Sequence, residues 1–217
     1  MHKSINNLVS IEEELKSKFN DSHNVKIIAV SKTFSQQDIM PLIDYGHKHF
    51  GENKVQEAVE KWREIKNQNT TIKLHLIGKL QTNKVKYVIP LFDFVHSLDS
   101  LKLAEKISKE QKRLNKYLKH FIQVNIGDED QKSGIHINAA EKFYDTCKNE
   151  LELDIVGLMC IPPVDQDSEK YFSEMQKLKI KLNLKELSMG MSSDYLKAIK
   201  FSSSFVRIGS KIFGERT

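Results

Sequence analysis

Cysteine is nearly absent: the chain of 217 residues holds two, Cys147 and Cys160. They lie far apart, and neither has a CxxC neighbour. That argues against a disulfide framework and against a structural zinc site, and leaves two buried or half-buried thiols. Long apolar runs are missing too. None reaches the roughly 18 residues that a helix needs to cross a bilayer, so no transmembrane helix is expected. The opening stretch MHKSINNLVSIEEELKSKF carries carboxylates and lacks the apolar centre of a secretory leader, which points to the cytoplasm. No Gly/Ser linker or low-complexity run divides the sequence, so one domain over residues 1–217 is expected. Walker A, GxGxxG, GxSxG and HExxH patterns are all lacking. His47 and His49 could share a face of a strand, but no third ligand stands near them in sequence. No metal site is expected.

Charge is present but localised. The net charge is +5, and the segment 102–119, KLAEKISKEQKRLNKYLK, with seven Lys or Arg and two Glu, accounts for all of it. Leu103, Ile107, Leu114 and Leu118 recur there at helical spacing, so the segment reads as a helix with a solvated basic face. A nucleic-acid surface is the competing reading. It predicts salt-dependent retention on DNA or RNA that is lost when Lys109, Lys112, Arg113 and Lys116 are neutralised. No aromatic interleaving supports it, and no nucleic-acid partner is expected.

Eight short apolar runs alternate with segments of helical period. The runs are VKIIAV (25–30), KHFG (48–51), IKLHLIG (72–78), FDFVHSL (92–98), HFIQVNIG (120–127), LDIVGLMCI (153–161), LKELSMG (184–190) and SFVRIG (204–209). Ser35 with Asp38 forms a capping box, Gly46 a helix stop, and Asp167 or Ser168 a further cap. An additional helix with Ile5, Leu8, Leu15 and Phe19 inward precedes the first run. Such alternation implies parallel strands joined by right-handed crossovers. Eight units of about 27 residues suit an α/β fold, a (β/α)8 TIM-type barrel with an additional N-terminal helix. An open doubly wound sheet would want a glycine-rich turn after its first strand, and AVSKTFS has no glycine.

In such a barrel the chemistry sits at the C-terminal ends of the strands. The residues found there are Lys32, then Glu52 and Asn53, then His75 within its run followed by Gly78, Gln81 and Asn83. Asp99, Asn125, Gly127 and Met159 come next, and the last two runs end in Gly190, Ser192, Ser193 and Asp194 and in Arg207, Gly209 and Ser210. Hydroxyls and glycines after the last two strands suit a phosphate. Lys32, at the end of a buried strand, suits an amine that attacks a carbonyl once desolvation frees it of its proton. An aldehyde that also carries a phosphate satisfies both, and pyridoxal 5′-phosphate is such a molecule. Arg207 would then donate to the ring nitrogen and leave it unprotonated, which makes the ring a weaker electron sink.

IIAVSKTF, FGENKVQEA, HLIGKLQTNK, VNIGDEDQKSGI, GLMCIPP, LSMGMSSDYLKAI and VRIGSKIFGER together resemble the pyridoxal phosphate homeostasis protein family, over about residues 25–216. The resemblance implies a barrel like the N-terminal domain of alanine racemase, with Lys32 carrying the cofactor as an internal aldimine. By the same match Ser192, Gly209 and Ser210 would bind the phosphate. Arg207 would face the ring nitrogen, Asn53 and His75 would line the ring, and Met189 belongs to the same loop. Lys79 departs from the small residue or proline that many members carry there. The expected function is a non-catalytic carrier or buffer of the cofactor in vitamin B6 homeostasis, with recipient pyridoxal-phosphate enzymes as partners. No membrane contact and a monomeric state are expected with it. The alternative, an amino-acid racemase, needs a second base opposite Lys32. Alanine racemase-like enzymes take theirs from an appended β-domain, and with seven residues after Ser210 no such domain is expected here. His75 and Tyr45, Tyr87, Tyr117, Tyr144, Tyr171 and Tyr195 are the remaining types for that role.

Overall fold

The computed structural model describes residues 2–19, 25–129, 131–164 and 166–215. Helix α1 (Lys3–Phe19) precedes β1 (Lys26–Val30), α2 (Gln36–Asp44), β2 (His49–Glu52), α3 (Val55–Gln68) and β3 (Lys73–Leu76). Then come α4 (Val85–Val88), β4 (Phe94–Leu98), α5 (Leu101–Leu114), β5 (Lys119–Asn125), the two-residue β6 (Ile135–His136) and α6 (Ala140–Asp145). The order ends with β7 (Asp154–Cys160), α7 (Ser168–Lys181), β8 (Glu186–Met191), α8 (Tyr195–Lys200), β9 (Phe205–Ile208) and α9 (Ser210–Phe213). All strand pairings are parallel. β1 pairs with both β2 and β9, and β4 with β5, so the sheet closes on itself. The ring is the expected eight-stranded barrel. β6 hangs on the edge of β5 and is too short for a pattern of alternation to announce it.

Local signals place the helices. Ser35 and Asp38 form the reciprocal capping box that opens α2, and the Asp167 side chain accepts from the Glu169 amide at the start of α7. The basic helix is shorter than the expected 102–119. Asn115 takes a left-handed φ of 48°, and its N–H turns back to the carbonyls of Gln111 and Lys112, which ends α5 at Leu114. Lys119 is therefore the first residue of β5, and Leu118 is buried from the connecting loop.

Strand alternation sorts side chains into two cores. Phe50, Leu74, Leu76, Val206 and Ile208 point outward and meet helix residues such as Trp62, Ile107 and Phe172. Full burial of each such side chain contributes about 1.5–3 kcal/mol. Inside the barrel lies a second cluster of Ile28, Phe121, Met159 and Phe205, with Phe94 and Val156 against it. Barrel interiors are usually filled by branched aliphatics. Here Phe94, Phe121 and Phe205 alternate with His49, His75 and His96. His75 stacks on Phe94 at 4.3 Å, and His96 on Phe121 at 4.2 Å. His47 does not share the strand face with His49, because β2 begins at His49; His47 Nε2 pairs instead with the His49 carbonyl at 2.9 Å.

The first helix is fastened to the last units of the barrel. Asn7 Nδ2 donates to the Ile212 carbonyl on α9 at 2.9 Å, and the Tyr195 hydroxyl on α8 donates to the Glu14 carboxylate. Cys147 and Cys160 are buried free thiols, and burial pushes both up to about 12.

Candidate functional site

At the C-terminal end of β1, buried Ser31 faces the helix layer, and Lys32, the next residue, is half-buried. Ser31 Oγ donates to Glu52 Oε1 at 2.8 Å. The same oxygen accepts from Lys61 Nζ at 3.0 Å and Trp62 Nε1 at 2.9 Å, while buried Glu52 Oε2 has no partner. Lys61, 8% exposed, also donates to the Ser31 carbonyl at 2.8 Å and to Glu57 Oε1 at 3.2 Å. Glu52 ends β2 as expected but turns away from the mouth. It anchors the strand that carries Lys32.

The turn after Lys32 is strained. Thr33 has φ 70°, the left-handed region that a β-branched residue seldom enters. Its amide donates to Glu57 Oε1 at 2.6 Å, which holds it there. Phe34 then stacks on Phe213 of α9 at 4.7 Å, so the Lys32 turn and the start of α9 at Gly209 and Ser210 share one rim.

Arg207 on β9 is 5% exposed. Its Nη1 donates to the Ser188 carbonyl at 2.6 Å and to Ser188 Oγ at 2.8 Å, and its Nη2 to the Cys160 carbonyl at 2.9 Å. Burial lowers its pKa, yet a guanidinium keeps its charge and has only donors to offer. Three of its five N–H are used in this way, and one Nη2–H and the Nε–H make no bond among the described residues.

The other expected residues divide. Asn53 lines a mouth cavity of about 330 Å³ together with Gly78, Gln123, Asn125, Lys132 and Ser133. Gln123, Lys132 and Ser133 were not picked out by the sequence, although Lys132 sits inside the QKSGI stretch. The loop that carries Lys132 and Ser133 is tied down by Asn125, whose side chain bonds both the carbonyl and the amide of Glu129. Gly134, at φ 134°, brings that loop so near β5 that a Cβ would lie 2.5 Å from the Asn125 amide nitrogen. Ser192 follows β8, half-buried, beyond Gly190 (φ 92°). Met189 lies on the helix side of β8, buried in the outer core, with its amide and carbonyl bonded to Ser203 Oγ. His75 lies within the barrel. Its Nε2 pairs with His49 Nδ1 at 3.0 Å and its Nδ1 with His96 Nε2 at 2.9 Å, so both nitrogens are committed. His96 Nδ1 in turn meets Ser188 Oγ at 2.8 Å. Burial, with neighbouring positive charge, holds His75 and His96 far below the usual imidazole range and His49 down to about 4.

The family described as alanine racemase, N-terminal domain, matches residues 7–217. The pyridoxal phosphate homeostasis protein of Pasteurella multocida is 40% identical over 202 residues, covering 88% of this chain and 87% of that one. This chain belongs to the pyridoxal phosphate homeostasis protein family. Among solved structures, PipY of Synechococcus elongatus without PLP superposes with a TM-score of 0.89 at 30% identity, over 98% of this chain and 100% of that one. PipY with PLP bound gives 0.84 at the same identity, over 97% and 100%. An alanine racemase of Clostridium difficile shares the fold, with a TM-score of 0.75 at 17% identity, but this chain spans only 57% of it. The homeostasis protein of Pasteurella multocida thus matches over 87% of its own length, whereas the racemase matches over 57% of its own.

Proposed function

We propose that the protein holds pyridoxal 5′-phosphate at the C-terminal mouth of the barrel, covalently through Lys32, and carries or buffers it without turning over an amino acid. The observation that carries this reading is the placement of two cationic side chains on neighbouring strands. Lys32 is a half-buried primary amine beyond β1. Arg207 is a buried guanidinium on β9 with two N–H to spare. The residues fit the group. Lys32 Nζ is the nitrogen to condense with the aldehyde, and Arg207 the donor to the ring nitrogen. Ser192, Gly209 and Ser210 are the hydroxyls and amides for the phosphate, with Asn53 beside the ring. When bound, pyridoxal phosphate supplies an aldehyde that captures amines and a ring that draws electrons from the attached carbon.

The side chains favour custody over catalysis. Arg207 cannot give the ring nitrogen its proton, which damps the electron sink. A racemase needs a second base across from Lys32. All six tyrosines lie on or just after helices, and Tyr195 is occupied by Glu14; burial, and then that bond, pushes its hydroxyl up. The His75 nitrogens are both engaged. Delivery to recipient pyridoxal-phosphate enzymes, a monomeric state, a single domain and a cytoplasmic location belong to the same reading. No described helix is long and apolar enough to cross a membrane.

The test is borohydride reduction of the loaded protein, peptide mapping, and the visible spectrum of Lys32→Ala. The expected result is reduced cofactor on Lys32 alone and a colourless variant. A variant as yellow as its parent, or steady racemisation of alanine, serine or glutamate above trace level, overturns the reading.

A further inference from the structure

The interior imidazoles form one connected line. From β2 to β9 it runs His49 Nδ1, His75 Nε2 (3.0 Å), His75 Nδ1, His96 Nε2 (2.9 Å), His96 Nδ1, Ser188 Oγ (2.8 Å) and Arg207 Nη1 (2.8 Å). His75, His96 and Ser188 are fully buried, so each proton in the line must have a definite owner.

Arg207 decides the ownership. A guanidinium only donates, so Ser188 Oγ accepts from it. The single hydroxyl proton of Ser188 then has one acceptor left among its contacts, His96 Nδ1. His96 therefore carries its proton on Nε2 and donates to His75 Nδ1, and His75 donates from Nε2 to His49 Nδ1. The opposite polarity would aim two donors at Ser188 Oγ and leave its hydroxyl proton buried with nowhere to go. The rings cannot turn over to escape. His75 is stacked on Phe94 at an interplanar angle of 10° and His96 on Phe121 at 15°, while Phe205 packs against both imidazoles.

We propose that Ser188, His96, His75 and His49 form a one-way hydrogen-bond line polarised by Arg207, and that this line in return fixes the guanidinium so that its spare N–H meet a neutral ring nitrogen. Ser188 and His96 are thus positioning residues of the cofactor site, acting through Arg207. The cofactor part of this inference rests on the reading above; the polarity does not.

Two measurements test it. Nitrogen-15 NMR of histidine-labelled protein, free of cofactor, reads the tautomers directly. Wild type is expected to show His49, His75 and His96 all protonated on Nε2. In Ser188→Ala the three become mixed, Ser188→Thr restores a single form, and Arg207→Met releases the line even if Ser188→Ala does not fold. His120, whose Nε2 is tied to Gln111 Oε1 outside the line, serves as the unchanged reference. An Nδ1-protonated form at any of the three in wild type, or unchanged tautomers in both Ser188→Ala and Arg207→Met, overturns the polarity. In the second measurement, Ser188→Ala is expected to retain pyridoxal phosphate about tenfold more weakly, with attachment still on Lys32. Unchanged retention overturns the positioning role. A wild type that takes up no cofactor ends that role together with the cofactor reading, while the tautomers still judge the line itself.

Discussion

Lys32 and Arg207 stand on neighbouring strands, and the protein secures their surroundings by opposite means. The Lys32 strand is anchored from the helix side by charge, with Glu52 and Glu57 gathering Lys61, Trp62, Ser31 and the Thr33 amide. Arg207 is secured by neutral acceptors only, two carbonyls and one hydroxyl. The difference suits what each must do. A carboxylate on Arg207 would occupy its donors and pair its charge, whereas neutral acceptors orient it and leave the charge for a ligand. Glu52 and Glu57, on the helix side of the Lys32 strand, bond Lys61, Trp62, the Ser31 hydroxyl and the Thr33 amide.

Removing Glu52 breaks the first arrangement and spares the second. Glu52→Ala leaves Lys61 buried without its main counter-charge, and a loss of about 3–5 kcal/mol in unfolding free energy is expected. Glu52→Ala with Lys61→Met should recover most of it. A single-variant loss under about 1 kcal/mol would mean that this ion pair does not hold the strand.

Acid strikes the second arrangement. His49, His75 and His96 have folded pKa values below the unfolded 6.5, so the unfolded chain binds more protons once pH falls. Their contribution is fully present above about pH 6.5 and is lost as pH drops toward 4 for His49, and lower for the other two. His47 and His120, at about 4 and about 3, add to the same slope. Denaturant titrations between pH 6.5 and 5 should show stability falling by up to about 1.4 kcal/mol per pH unit for each such histidine. A flat profile would contradict the neutral line.

The smallest effect sharpens the contrast. Thr33→Gly relieves the left-handed strain and is expected to raise stability by about 1 kcal/mol, less whatever the freer unfolded chain takes back. It should also loosen cofactor retention, because a glycine lets the turn behind Lys32 leave the conformation in which Glu57 holds it. Tighter retention in that variant would show the strain to be incidental.

The barrel was legible because its signals are local. The Ser35–Asp38 box, the Asp167 cap and eight apolar runs each lie within a few residues. Lys32 and Arg207 stood out for a related reason: an unusual residue at a strand end is visible along the chain. The imidazole line was not. Its members are 26, 21 and 92 residues apart in successive steps, and they meet only because strand stagger brings them to one level inside the barrel. His75 was therefore assigned to the ring, whereas its neighbours hold it within the lumen. Alternation within β8 sends Met189 to the helix side once Ser188 faces the lumen. The stop at Asn115 depends on one residue accepting a left-handed turn, which helical spacing cannot register.

Asn7 reaches a carbonyl of α9, 205 positions away, and Phe213 of α9 leans on Phe34 beside the Lys32 turn. A push on the opening helix thus has a mechanical route to the rim where the phosphoryl group would be gripped. Displacing α1 would therefore reach the Lys32 turn through two contacts, Asn7 to α9 and α9 to Phe34.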